Sequence, residues 1–171
     1  MKTLYLLRHA KPDPAGSGIR DRDRPLTDRG RRVAERIGLK LRQTGAPPTL
    51  VLCSPARRAA ETLAHLLPGL GFVPLVETRE DLYLCGWPTV LEAIWKLPDK
   101  VDRVLLVAHN PDLHDLAHHL TVSGAPGALR AVELAFPVGA LATLVFSVTE
   151  WSAVTVGSAT LAGFVRPDDA T

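Results

Sequence analysis

Three short apolar runs in this chain each break off at a polar or basic cluster, and a helix start follows each one. Leu4-Tyr5-Leu6-Leu7 runs into Arg8-His9-Ala10, Val51-Leu52-Cys53 into Ser54-Pro55-Ala56-Arg57-Arg58, and Val104-Leu105-Leu106-Val107-Ala108 into His109-Asn110-Pro111. Runs of this length read as strands, and the third, apolar on both faces, has the pattern of a strand covered on both sides of a sheet. Strands alternating with helices call for a three-layer α/β/α sandwich around a mostly parallel sheet. In open sheets of that kind ligands sit outside the carboxyl ends of the strands. The three junctions can therefore converge on one pocket holding two or three arginines and two histidines, contents that suit a phosphate group beside a nucleophile.

The rest of the chain fits this frame. A first strand over about 3–8 is followed by a polar loop over 11–26, and Thr27 is placed to cap a helix. That helix carries Val33, Ile37 and Leu41 on one face and ends near Gly45. A strand at 50–53 leads to Ser54 as cap and Pro55 as first residue of a second helix, which stops at Pro68-Gly69. A strand over 72–76, a helix over 88–97, a strand over 103–108 and a helix from Pro111 to about 121 follow. Residues 131–136, 141–148 and 153–156 read as hairpin-connected strands at a sheet edge.

Composition narrows the function classes. The 171 residues are expected to form one domain, 1–171, long enough to bury about two-thirds of their unfolded surface. A net charge of only +2 gives no reason to expect a nucleic-acid or membrane-surface partner, so any strong positive field must be local. The apolar run after Lys2 is ended by Arg8, too short for a signal peptide or a membrane span, and a cytoplasmic protein is expected. Cys53 and Cys85 lack C-x-x-C spacing and read as buried thiols. Oligomeric state is not legible.

Each candidate has a plainer reading. Arg57 and Arg58 could be solvated and pair with Glu61, although a cation in the first turn of a helix is easier to understand beside a bound anion. His109 could simply end a core strand, with Asn110 as a helix cap. His114 and His118 have the i, i+4 spacing of a metal pair, but no Glu follows His114 and no third ligand is evident, so no metal or cofactor is expected. Trp87 and Trp95 read as packing residues.

Together these segments resemble the histidine phosphatase superfamily, the phosphoglycerate mutase-like fold. Arg8-His9-Ala10 is similar to its Arg-His-Gly opening, with alanine for glycine, and Arg24-Pro25-Leu26-Thr27-Asp28-Arg29-Gly30 to its helix entry. Ser54-Pro55-x-x-Arg58-Ala59-x-x-Thr62 and His109-Asn110-Pro111 resemble the segments bearing the second arginine and second histidine, Ala108 standing where many members have glycine. The small size and the Asp23–Thr27 stretch resemble the SixA-type phosphohistidine phosphatases. The resemblance implies that His9 takes the phosphoryl group while Arg8, Arg58 and His109 hold its oxygens, with Arg24 and Asn110 as further substrate contacts. Members that cleave esters supply a carboxylate acid after the third strand; here Glu80, or Asp81 beside it, is the nearest candidate. The expected partner is a phosphorylated protein, with a small phosphorylated metabolite as the alternative. A non-catalytic phosphate-binding module needs only the arginines, and a mutase needs a second basic cluster beyond Arg20, Arg22 and Arg24.

Overall fold

The computed structural model describes residues 1–14, 16 and 18–167; Ala15 and Ser17, within the expected 11–26 loop, and 168–171 lie outside the described residues. Among the described residues, seven strands form one sheet in the order β3-β2-β4-β1-β6-β7-β5. They are β1 (Lys2–Arg8), β2 (Leu50–Cys53), β3 (Leu75–Thr78), β4 (Arg103–Ala108), β5 (Thr121–Gly124), β6 (Leu141–Phe146) and β7 (Ala159–Val165). The strands β3, β2, β4 and β1 run parallel, β6 lies antiparallel between β1 and β7, and β5 pairs parallel with β7.

Alternation along the strands sorts the core into two layers. Tyr5 and Leu7 of β1 pack with Val33, Ile37 and Leu41 of α1 (Asp28–Gln43) and with Leu63 and Leu66 of α2 (Arg57–Leu70). Leu4 and Leu6 point the other way, into a cluster with α3 (Trp87–Trp95), α4 (Asp112–Leu120) and α5 (Pro126–Leu134). This is the expected three-layer sandwich. The chain leaves neighbouring strands β1 and β4 for helices on opposite faces, which opens a crevice between their carboxyl ends. Register fixes the edge of that crevice, since Arg8 stands beside Ala108 and Cys53 beside Val107.

Thr27 caps α1 as expected, its Oγ1 accepting from the Gly30 amide at 3.0 Å. The helices α1 and α2 cross closely at Gly38 and Gly69, where a Cβ on Gly38 would collide with the Leu66 carbonyl oxygen. Alanine is intrinsically better than glycine in a helix by about 1 kcal/mol, but overpacking against immobile backbone outweighs that. Gly38→Ala is expected to destabilise the fold by about 1–3 kcal/mol, read as a lower urea midpoint at unchanged m-value.

Several local expectations are corrected. Ser54 and Asn110 are not helix caps: α2 starts at Arg57 and α4 at Asp112, because both side chains are engaged elsewhere. Pro68 sits inside α2, and Gly71, at φ 77°, ends the helix. The third strand is Leu75–Thr78 rather than 72–76. Residues 131–136 are not a strand: Pro126 in the first turn starts α5, which runs to Leu134. Residues 153–156 are not a strand either; that end of the sheet is built by β7 and, at the edge itself, by β5, which follows directly on α4. Cys53 is buried and Cys85 half-buried, both as free thiols.

Candidate active site

The three junctions meet at one cleft. His9 follows the last residue of β1, and its amide donates to the Ala108 carbonyl of β4 at 3.1 Å; the Ser54 amide donates to Val107 at 2.9 Å. The strand ends are thus stitched to β4, and their side chains converge. Arg8, His9, Arg58 and His109 line the cleft together with Arg24 and Asn110, and Asp21, Pro12, Leu84 and Val138 complete its wall.

The hydrogen bonds of His9 define its chemistry. Its Nδ1 lies 2.9 Å from the Ala10 carbonyl oxygen, which can only accept, so Nδ1 carries the proton and Nε2 keeps its lone pair. Arg58 Nε donates toward that Nε2 at 3.2 Å. The His9 residue is only 6% exposed. Burial above all pushes its pKa down to about 3, with His109, Arg58 and Arg8 adding to the shift and the Ala10 bond opposing it. At neutral pH His9 is therefore an uncharged base. The ring sits on a fixed backbone because the Ala10 amide donates to Thr62 Oγ1 (2.9 Å), and Thr62 in turn donates to the Arg58 carbonyl one turn earlier in α2.

The second imidazole is oriented differently. His109 Nε2 lies 2.7 Å from Ser54 Oγ, its ring centroid is 5.1 Å from that of His9, and Tyr83 meets it edge-on at 5.4 Å. Burial, and then Arg58, lower its pKa to about 4, with Asp21 opposing the shift. Arg8 and Asn110 are both anchored on the Phe136 carbonyl oxygen, at 2.9 and 2.8 Å. Burial and the Arg58 charge both disfavour the cation at Arg8. Arg8 Nε, His109 Nδ1 and Asn110 Oδ1 are buried without a protein partner. Such groups are costly unless something satisfies them; Arg8 Nε can only donate and Asn110 Oδ1 can only accept.

Both histidines are neutral in the folded protein but take up a proton near pH 6.5 once the chain unfolds. The unfolded state thus binds more protons below that pH, so stability is full above about 6.5 and falls as pH drops toward 4. Asp21, held at about 2, extends the same loss below its ordinary 3.8. Urea titrations at pH 7 and 4.5 should show this fall, and His9→Gln should reduce it.

The sequence profile of the histidine phosphatase superfamily (branch 1) matches residues 4–83. A structure from Nakamurella multipartitia, assigned as the phosphohistidine phosphatase SixA, is 30% identical, covers 97% of this chain and 96% of its own, and superposes with a TM-score of 0.81. The chain belongs to the histidine phosphatase superfamily. Uncharacterized protein Rv1276c of Mycobacterium tuberculosis is 38% identical over 94% of this chain and 99% of its own. The protein histidine phosphatase SixA in complex with tungstate, 23% identical, has the same fold at TM-score 0.79, covering 99% of each chain.

In this histidine phosphatase the remaining candidates fall into two groups. Arg24 reaches the cleft, its guanidinium donating to the Asp13 carbonyl and to Asp21 Oδ1. Glu80 does not line the cleft: both of its carboxylate oxygens accept from Arg22 Nη2, at 2.7 and 2.8 Å, on the exposed rim. Asp81 is likewise paired with Arg79. Arg57 takes the plain role and pairs with Glu61. Arg58, 4% exposed, faces inward instead. His114 Nε2 is bonded to the Val132 carbonyl, Trp87 packs on the core beside His119, and Trp95 caps Val154 from a more exposed position.

Sequence reasoning missed Asp21 in the cleft and Tyr83 beside it. Asp21 accepts from the Tyr83 hydroxyl at 2.8 Å and from Arg58 Nη2 at 2.9 Å; the Tyr83 bond above all, then Arg24 and Arg58, bring its pKa down to about 2 against the effect of burial. The i, i+3 spacing of Asp21 and Arg24 hinted at a local pair. Nothing in the sequence linked either to Arg58 or Tyr83, which lie far along the chain.

Proposed function

We propose that this protein removes phosphoryl groups from phosphohistidine side chains of proteins through a covalent intermediate on His9. The observation that carries this reading is the buried, neutral His9, whose unprotonated Nε2 lies within the cleft beside Arg58. Its lone pair attacks phosphorus in line while the bond to the substrate nitrogen breaks and that electron pair leaves with the imidazole. A leaving imidazole protonated on its far nitrogen departs neutral, so it needs no proton from the enzyme. Arg8, Arg58 and His109 hold the equatorial oxygens, which is where phosphoryl transfer needs charge.

The second step returns the enzyme. Nδ1 keeps its proton on the Ala10 carbonyl, so phospho-His9 is an imidazolium already set to leave as the neutral tautomer when water attacks phosphorus. No metal enters either step. The choice of a phosphoramidate over an ester rests on the carboxylates. Glu80 is held by Arg22, and Asp21, at a pKa of about 2, is ionised and has no proton to donate at neutral pH. An alkoxide would need one.

The test compares hydrolysis of a phosphohistidine-bearing protein with that of a simple alkyl phosphate, with His9→Ala as blank. Strong preference for phosphohistidine, lost in the variant and unchanged in Glu80→Gln, is expected. Preference for the ester, or a large loss in Glu80→Gln, would instead make the protein a small-molecule phosphatase with a working acid. Phosphate binding without turnover of either substrate would leave it a binding module.

A further inference from the structure

The cleft carries a carboxylate as well as its arginines. Asp21 lies in a single 3-10 turn, Asp21–Asp23, at the cleft mouth. Four hydrogen bonds from side-chain donors converge on it. Arg58 Nη1 donates to its backbone oxygen at 2.6 Å and Nη2 to Oδ2 at 2.9 Å; the Tyr83 hydroxyl donates to Oδ2 at 2.8 Å, and Arg24 Nη1 to Oδ1 at 3.0 Å. With Nε turned to His9, every nitrogen of Arg58 has a protein partner, and two of the three bonds go to Asp21.

Charge balance gives this arrangement a consequence. The guanidiniums lining the cleft are those of Arg8, Arg24 and Arg58, and the carboxylate is that of Asp21, leaving a net of two positive charges. Both histidines are neutral near pH 7. Two positive charges match one phosphoryl dianion. The rim arginines are already engaged, Arg22 by Glu80, Arg20 by Asp23 and Arg79 by Asp81. Lys11 and Arg29 line a separate cavity across Val138. A second anionic group on a substrate therefore meets the Asp21 charge at the mouth.

We propose that Asp21 is a specificity-determining residue, whose carboxylate disfavours phosphorylated compounds bearing a second anionic group and favours those whose leaving group is neutral or cationic. This rests on reading the cleft as a phosphoryl site. It deepens that reading by naming the charge class of the substrate: an imidazolium fits and an acidic metabolite does not.

The test is a binding measurement, so it does not depend on turnover. Phosphoethanolamine and phosphoglycolate both carry a phosphate ester on a two-carbon stem, one ending in an ammonium and the other in a carboxylate. Calorimetric titration of the wild-type protein with each should give about tenfold tighter binding of phosphoethanolamine, as expected for one partly exposed charge at close range. Asp21→Asn keeps the shape and removes the charge, and should erase the preference, mainly by tightening phosphoglycolate. Asp21→Ser is the second variant should the first fail to fold. Equal affinities in the wild-type protein, no measurable binding of either compound, or a preference that survives in a folded variant would each overturn the proposal. If the binding preference holds while phosphohistidine is not turned over, the charge selection stands and the phosphatase reading falls. Turnover without the preference has the opposite meaning.

Discussion

Replacing His9 with alanine should reduce turnover of a phosphohistidine substrate by on the order of 10⁴–10⁶-fold, the scale seen when the nucleophile of a concerted site is removed. No neighbour is placed to substitute. The other imidazole, His109, has Nε2 on Ser54 and leaves only Nδ1, its contact to the phosphoryl oxygens in this reading, and burial pushes the Cys53 thiol up to about 12, where it carries almost no thiolate. Alanine leaves the Ala10 backbone on Thr62, so the strand end keeps its position. The check is single-turnover quenching with a radiolabelled phosphoryl donor. The wild-type protein should yield an acid-labile, base-stable phosphoprotein, and His9→Ala should yield none. A labelled variant would move the nucleophile elsewhere.

Arg58→Ala is expected to lower kcat/KM by about 10²–10³-fold, as for other groups that stabilise charge in the transition state. The effect is large because three directed N–H groups disappear at once: one orients on His9, and two tie the Asp21 turn to the cleft. Without them Asp21 faces the phosphoryl site with Arg24 and Tyr83 as its remaining donors. Arg58→Lys should recover little of the rate, since an ammonium does not reproduce the planar fork. Circular dichroism of the variant separates this loss from unfolding, because Arg58 is itself buried. A folded variant that loses less than about threefold would remove Arg58 from the machinery.

Much of the parallel half of the sheet was legible because its signals are local. The apolar runs of β1, β2 and β4, the period of Val33, Ile37 and Leu41, and the Thr27 cap each depend on neighbours within a few residues. The carboxyl-terminal half was less legible. The segment 131–136 alternates apolar residues with Glu133 and reads as a strand, yet Pro126 opens a helix there, and its apolar residues pack on α4 and β7 instead. Propensity loses to tertiary packing in such short segments.

The cleft divides along the same line. By itself the sequence determined which groups stand at the three strand ends, because parallel strands that terminate in Arg8-His9, Ser54 or His109 deliver those side chains to the carboxyl end of the sheet. Only the tertiary structure decided how they are used. Ser54, read as a helix cap, orients His109 from 55 residues away, and Asn110 joins Arg8 on the Phe136 carbonyl. Glu80 is drawn to Arg22 on the rim while Asp21 takes the place at the mouth. The reason is physical: a charged side chain settles on whichever opposite charge lies within about 3 Å in the folded chain. Periodicity and composition carry no record of that distance.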